Sequence, residues 1–315
     1  MQTKPDVLVV VKPPDKLVER LERDFTLIKL WEQGGDEFAN LRALGDRVRV
    51  LFTFNRSLST EFLDCLPKLA LICCLGAGFD RVPMDYCRQR GLRVTNGPGI
   101  NAGCVADAVM GIMIATRRRI AAGDRFVRAG GWLKQRLYDT TSRFYGGRLG
   151  LLGFGYINAA VAKRAQGFDL EIAYCTRNRR PDVGHRFEPD LVALARWADY
   201  LVAAIPLDAS TRHIINRPVI EALGPQGMFV NVSRGGIADQ PELIAALQDG
   251  RLGSAGLDVF DGEPVVPAAL MALDNVVLTP HLGGMTHESF ADGTELLCRN
   301  LAAFYAGKPL VSPLL

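Results

Sequence analysis

The chain has 315 residues, 48% of them hydrophobic and 23% charged, with a formal net charge of +3. That length accommodates two domains of ordinary size, and the near-neutral charge excludes a global field that would draw nucleic acid or an acidic membrane. Seven cysteines (Cys65, Cys73, Cys74, Cys87, Cys104, Cys175 and Cys298) form no C-x-x-C pair and four histidines are scattered, which points to a reducing, cytosolic compartment with no disulfide framework and no metal site.

The first apolar run, Val7 to Val11, ends at Lys12 and two prolines, too early for a signal-peptide core. VLVVV, RVRVLF, LALICC and RVTN read as strands, with the amphipathic stretches KLVERLERDF and TEFLDCLP between them. The turn formers Asn96-Gly97-Pro98-Gly99 mark a boundary. Beyond them, residues 101–128 keep helical periodicity. The apolar part, Val105 to Ala115, contains Asp107 and runs into Arg117-Arg118-Arg119; a membrane span needs roughly 20 apolar residues, so this is a buried helix with a solvated or pairing end. LGLL, LEIAYC, YLVAAI, GMFVNV, SAGLDV and VVLTP then repeat the strand pattern, and a last helix, about residues 288–305, returns the chain to its first part with KPLVSPLL closing against it.

Short strands alternating with helical segments predict an α/β protein of two Rossmann-like, doubly wound parallel-sheet domains with a cleft between them. The expected division is a discontinuous outer, substrate-binding domain of residues 1–98 plus 286–315, and a continuous inner, nucleotide-binding domain of residues 99–285.

Residues 150–161 read GLLGFGYINAAV. Gly153 and Gly155 follow an apolar strand and open a helix, the setting in which G-x-G-x-x-G binds a dinucleotide: one glycine for the tight turn, the next for backbone approach to the pyrophosphate at the helix N-terminus. Asn158 replaces the third glycine, which allows close helix–strand packing. It predicts either a helix tilted outward with weaker phosphate binding or an amide near the phosphates; the first is favoured because the position faces the sheet. At the end of the next strand an NAD site places an acid for the ribose 2′-hydroxyl. Here the chain reads Tyr174-Cys175-Thr176-Arg177-Asn178-Arg179-Arg180, with no acid. Thr176 and Arg177 would hold a 2′-phosphate, so NADP(H) is expected ahead of NAD(H).

Three later strands end in polar residues, where open α/β sheets bind ligands. GMFVNVSRGG brings Val232 and Ser233 against the cofactor and ends at Arg234; SAGLDVFDGEP carries Asp258 and Glu263; VVLTPHLGG carries His281. Reducing a 2-keto acid requires a hydride donor, a proton donor and a cation for the carboxylate and carbonyl. Imidazole is the side chain suited to proton transfer near neutral pH, so His281 is the expected acid. Glu263 would hold its other nitrogen, and Arg234 would bind carbonyl and carboxylate through its planar fork.

With NVSRGG, GLDVFDGEP, LTPHLGG and VTNGPGINAGCVADAVMGIMI, the chain resembles the D-2-hydroxyacid dehydrogenases along nearly its full length. DRFVRAGGW and the Thr-Arg-Asn of residues 176–178 carry a narrower similarity to NADPH-dependent glyoxylate/hydroxypyruvate and hydroxyphenylpyruvate reductases. The resemblance implies catalytic roles for Arg234, Glu263 and His281, and nicotinamide contact from Asp258. It implies phosphate contact from the backbone around Phe154, Tyr156 and Ile157, and substrate-carboxylate contact from the N–H groups of Leu75, Gly76, Ala77 and Gly78. It also implies a homodimer paired through the inner domain. Tyr156 stands where the family usually has Arg, and Gln240 where it often has an acid, the latter expected to be surface drift; Asp239 suits an N-cap with Glu242 three residues on. Phe52, Phe54 and Leu75 are expected to wall the pocket. The activity so read is NADPH-dependent reduction of small 2-keto acids. Its alternatives are reduction of bulkier aryl or branched keto acids, or dinucleotide sensing without catalysis on the same fold.

Overall fold

Runs of Val, Leu and Ile close two separate parallel sheets. The computed structural model describes residues 4–54, 56–134 and 138–315. The first sheet contains β1 (Asp6–Val9), β2 (Thr26–Lys29), β3 (Val50–Thr53), β4 (Leu71–Cys74) and β5 (Arg93–Thr95), in the order β2-β1-β3-β4-β5. The second contains β6 (Arg148–Leu152), β7 (Glu171–Cys175), β8 (Arg186–Phe187), β9 (Tyr200–Ala203), β10 (Met228–Asn231), β11 (Ser254–Leu257) and β12 (Val276–Leu278), in the order β12-β11-β10-β9-β6-β7-β8. Every pairing is parallel. The two strands that the apolar runs do not reveal, β2 and β8, are both edge strands.

The chain divides into one compact unit of Met1–Asn101 with Thr286–Leu315, and another of Ala102–Met285. In the first, alternation along the strands sends Leu8 and Leu51 into one core and Val7, Val9 and Phe52 into another on the opposite face. The C-terminal helix His287–Tyr305 covers the second face with Leu297, Leu301 and Phe304. Phe52 and Leu75, expected to wall a pocket, are part of this core, with 0% and 5% exposure; that expectation is corrected. Apolar strand-end side chains bury more surface against the helix than they could beside a small polar ligand. Phe54 is half-buried and packs edge-on against Phe290. The C-terminal segment docks on β5, Leu314 N–H donating to Val94 O at 2.7 Å.

In the second unit the strand order reverses between β6 and β9, which creates a crevice at their carboxyl ends. The helix Ala102–Arg117 lies close over β11 because residue 256 is glycine: a Cβ there would meet Ile112 Cγ2 at 2.2 Å. That helix stops at Arg117, Arg119 adopts φ +51°, and a second helix runs Ile120–Arg128. The three arginines are held within their own unit. Arg117 donates to Arg143 O and Gln226 O, both at 3.3 Å; Arg118 donates to Thr141 Oγ1 at 3.1 Å, and Arg119 pairs with Asp139 at 3.2 Å. No helix among the described residues is long and apolar enough to cross a membrane. Burial pushes the Cys73 and Cys74 thiols up to about 12, too high for a nucleophilic role.

Candidate active site

The glycine turn sits at the strand-order reversal. Gly153 adopts φ +84°, and a Cβ there would strike Ile205 Cγ2 at 2.4 Å, so both conformation and space demand glycine. At Gly155 nothing lies within 4 Å of the corresponding Cβ position, leaving an open cradle above the start of the helix Tyr156–Ala165. No side chain caps that helix, which leaves the N–H groups of its first turn without a side-chain acceptor, as an anion site requires. Tyr156 is 68% exposed at the rim. Phe154 packs on Tyr174 with ring centroids 5.0 Å apart, and Ile157 packs on the core beneath.

Asn158 is fully buried, and its Nδ2 donates to Leu152 O at 2.9 Å and to Gly153 O at 2.8 Å. The side chain therefore faces the sheet, as the position predicts. Rather than wedging the helix outward, it ties the helix to the end of β6. Its Oδ1 is buried with no partner among the described residues.

Beyond β7 the loop closes on a tyrosine. Tyr174 Oη accepts from Arg180 N–H at 3.0 Å and donates to Arg180 O at 3.2 Å, while Arg180 Nη1 donates to Phe154 O at 3.3 Å. The Thr176 hydroxyl donates to Asn178 O at 2.7 Å, shaping its own loop. Arg177 Nη2 donates to Ser210 Oγ at 2.7 Å and lies 3.6 Å from Asp208 Oδ2. The loop after β7 thus does have an acid beside it, supplied from the loop after β9. The Ser210 hydroxyl, with the N–H groups of Ser210 and Thr211 and the charge of Arg177, holds Asp208 below the usual carboxylate range.

Arg234, Asp258 and His281 follow β10, β11 and β12, which pair in register at Asn231, Leu257 and Leu278, so all three leave one edge of one sheet. Buried Asn231 shapes the first turn, its Nδ2 donating to Arg234 O at 2.9 Å and its Oδ1 accepting from Ser233 N–H at 3.1 Å. Val232 N–H donates back to Ala203 O, and Ser233 Oγ donates to Ile205 O. Gly235 then touches the loop beyond β11: a Cβ there would lie 1.9 Å from Phe260 C and 2.1 Å from Asp261 N. On that loop Glu263 Oε1 accepts from Phe260 N–H at 3.1 Å, and Oε2 meets His281 Nδ1 at 2.9 Å. The pair is partly sheltered, with side-chain exposures of 33% for His281 and 19% for Glu263.

Asp258 supports the histidine loop. Its carboxylate accepts from Thr279 Oγ1 at 2.5 Å, Leu282 N–H at 2.8 Å and Gly283 N–H at 2.9 Å. The His281 backbone takes φ +54°, its N–H donating to Asp258 O at 2.8 Å. Gln240, read as surface drift, is corrected. Its amide donates to Asp261 O at 3.5 Å and accepts from Asp261 N–H at 3.0 Å, a two-way pairing that a carboxylate cannot make. Asp239 caps the same helix by accepting from Glu242 N–H at 3.3 Å.

In the first unit, the loop after β4 is oriented by its carbonyls. Gly97 N–H donates to Gly76 O at 2.9 Å, and Asn96 Nδ2 donates to Ala77 O at 2.7 Å. In trans peptides the N–H groups of Ala77 and Gly78 consequently point the other way. Asn96 is itself anchored through its carbonyl by Ser312 Oγ at 2.6 Å. Leu75 N–H donates to Thr53 O at 3.2 Å, so the expectation that it reaches a substrate carboxylate is corrected; Gly76, Ala77 and Gly78 donate to no described residue.

The sequence model of the family described as D-isomer specific 2-hydroxyacid dehydrogenase, NAD binding domain, matches residues 110–283. Hydroxyphenylpyruvate reductase of Plectranthus scutellarioides is 42% identical over 308 residues, 98% of each chain. The chain belongs to the D-isomer-specific 2-hydroxyacid dehydrogenases. Among solved members, the 2-hydroxyacid dehydrogenase of Ketogulonicigenium vulgare Y25 superposes with a TM-score of 0.92 at 41% identity, covering 100% of this chain and 99% of that one. The NADPH-dependent glyoxylate/hydroxypyruvate reductase of Sinorhizobium meliloti, in complex with NADP and malonate, gives 0.90 at 31% identity over 99% and 97%.

This dehydrogenase is thus an oxidoreductase of 2-hydroxy acids, and a nicotinamide dinucleotide fits its residues: the open space at Gly155 lies beside the uncapped N-terminus of the helix Tyr156–Ala165. Sequence reasoning missed Asn96, Asn231, Thr279, Asp208 and Ser210, ordinary polar residues whose roles come from their partners, some far along the chain and some, as at Asn231, two or three positions away. Replacing Asn158 in the dehydrogenase with Gly is expected to lower unfolding free energy by about 1–3 kcal/mol, since Gly153 O loses its donor. Dinucleotide affinity should fall with it; tighter binding in a fluorescence titration would instead show that the amide holds the helix away from the phosphates.

Proposed function

We propose that the chain reduces small 2-keto acids, glyoxylate and hydroxypyruvate foremost, to D-2-hydroxy acids with NADPH. The observation that carries this reading is the His281–Glu263 pair, 2.9 Å between Nδ1 and Oε2, on the same sheet edge as Arg234. Glu263 occupies Nδ1 and fixes the ring, which leaves Nε2 to pass its proton to the carbonyl oxygen. The Arg234 guanidinium polarises that oxygen and binds the carboxylate. Gly76, Ala77 and Gly78 are assigned to the carboxylate through their N–H groups. When bound, the nicotinamide supplies the hydride. Gly153, Phe154, Gly155, Tyr156 and Ile157 would hold its pyrophosphate; Thr176, Arg177 and Asn178 its ribose; Val232, Ser233 and Asp258 the nicotinamide side, Asp258 also bracing the histidine loop.

The NADP-bound relative from Sinorhizobium meliloti supports the preference for NADPH and small acids. The Plectranthus relative, named for hydroxyphenylpyruvate, supports reduction of aryl keto acids as a second reading. Homodimer formation through the second unit is supported by Ile120, Val127, Trp132 and Leu133, each more than half exposed. Oxidation of NADPH and NADH should be followed with glyoxylate, hydroxypyruvate and hydroxyphenylpyruvate in parallel. The expected result is the highest kcat/KM for NADPH with the two small acids and, by light scattering, twice the 34.4 kDa chain mass. A higher kcat/KM for hydroxyphenylpyruvate would select the second reading, and a single chain mass would remove the dimer.

A further inference from the structure

Arg177, though largely exposed, already has partners. Its Nη2 donates to Ser210 Oγ at 2.7 Å, with Asp208 Oδ2 at 3.6 Å. Asp208 is the fixed member of this pair. Its Oδ1 accepts from Ser210 N–H at 2.7 Å, Ser210 Oγ at 2.6 Å and Thr211 N–H at 3.1 Å. The turn is closed from the other side as well, Asp208 N–H donating to Thr211 Oγ1 at 2.8 Å and Thr211 Oγ1 to Pro206 O at 2.7 Å. Arg177 is the movable partner, with 78% side-chain exposure against 52% for Asp208. The two residues follow β7 and β9, the strands on either side of β6, so the carboxylate faces the ribose end of the crevice although 31 positions separate it from Arg177 in sequence.

We infer that Asp208 is a specificity-determining residue, which competes with the cofactor's 2′-phosphate for Arg177 and so keeps the chain able to use NADH as well. This rests on the proposed use of NADPH with Arg177 at the 2′-phosphate. A 2′-phosphate has to draw the guanidinium away from Asp208 and tolerate a second anion beside it. A ribose 2′-hydroxyl, which can donate to a carboxylate, meets no such opposition. The turn that holds Asp208 stays in place in either case, because its hydrogen bonds are local.

The test uses binding of 2′,5′-ADP and 5′-AMP, which differ only in the 2′-phosphate, measured by titration calorimetry, together with the NADPH:NADH ratio of kcat/KM. Asp208→Asn retains an acceptor for the turn and removes the charge. It should tighten 2′,5′-ADP binding about three- to tenfold, the factor carried by one unit-charge repulsion near 4 Å in water. Affinity for 5′-AMP should hold and the kinetic ratio should rise in parallel. Asp208→Ser, whose hydroxyl can also cap the turn, should act the same way and covers the case in which Asn disturbs folding. If both variants leave the 2′,5′-ADP:5′-AMP ratio unchanged while Arg177→Ala lowers it, Asp208 is not a determinant and the inference is overturned. If Arg177→Ala lowers both affinities equally, the assignment of Arg177 to the 2′-phosphate fails, and the inference fails with it.

Discussion

His281→Ala is expected to lower kcat by about 10²- to 10⁴-fold, the range spanned by positioned general acids, while cofactor affinity stays near that of the parent chain. The separation follows from the geometry. The glycine turn after β6 makes none of its hydrogen bonds to the ring, and the histidine loop is held by Asp258 through Thr279, Leu282 and Gly283 and through the backbone at 281. All of those contacts survive truncation at Cβ. Single-turnover reduction with a saturating keto acid reads the chemical step, and quenching of protein fluorescence reads cofactor binding. The dependence of kcat/KM on pH should flatten in the variant. Loss of cofactor binding together with turnover would make the ring a structural prop and remove the assigned proton transfer.

The second large effect is expected from a residue with no chemistry. Gly235→Ala places a methyl carbon 1.9 Å from Phe260 C, inside the peptide that leads to Glu263. Neither partner is a flexible side chain, so the Arg234 turn and the Glu263 loop must move apart by more than an ångström. Overpacking of this kind costs about 1–3 kcal/mol of stability, and a shift of that size at a catalytic group can lower the rate about 10²-fold. Thermal unfolding and kcat/KM should fall together, with kcat carrying most of the kinetic loss. Normal kcat in a destabilised protein would show that the two loops do not need their present spacing.

Much of this was legible in the sequence because it depended on local pattern. Continuous Val/Leu runs exposed the buried parallel strands, and the glycines after Arg234 marked a close approach, which at Gly235 is to the backbone of Phe260 and Asp261. Edge strands β2 and β8 escaped because they lack such runs. The harder failures concerned side chains whose meaning comes from the partners they meet in the fold. Gln240 looked like drift until its amide met the peptide of Asp261. Asn158 looked like a wedge, yet its amide binds the carbonyls a bare glycine would leave to the backbone. The ribose loop looked free of acid because the acid arrives from a different strand. Composition at one position cannot report such pairings; only the parallel register that aligns the strand ends does.

Position 281 also sets stability against activity. Its φ of +54° lies in the left-handed region, which a glycine adopts freely and a side chain enters at roughly 1–2 kcal/mol. Selection for heat resistance alone would therefore favour His281→Gly over any other replacement there. The ring offsets that strain through its 2.9 Å bond to Glu263, so in libraries of this chain sorted by thermal tolerance glycine should be the commonest replacement at that codon.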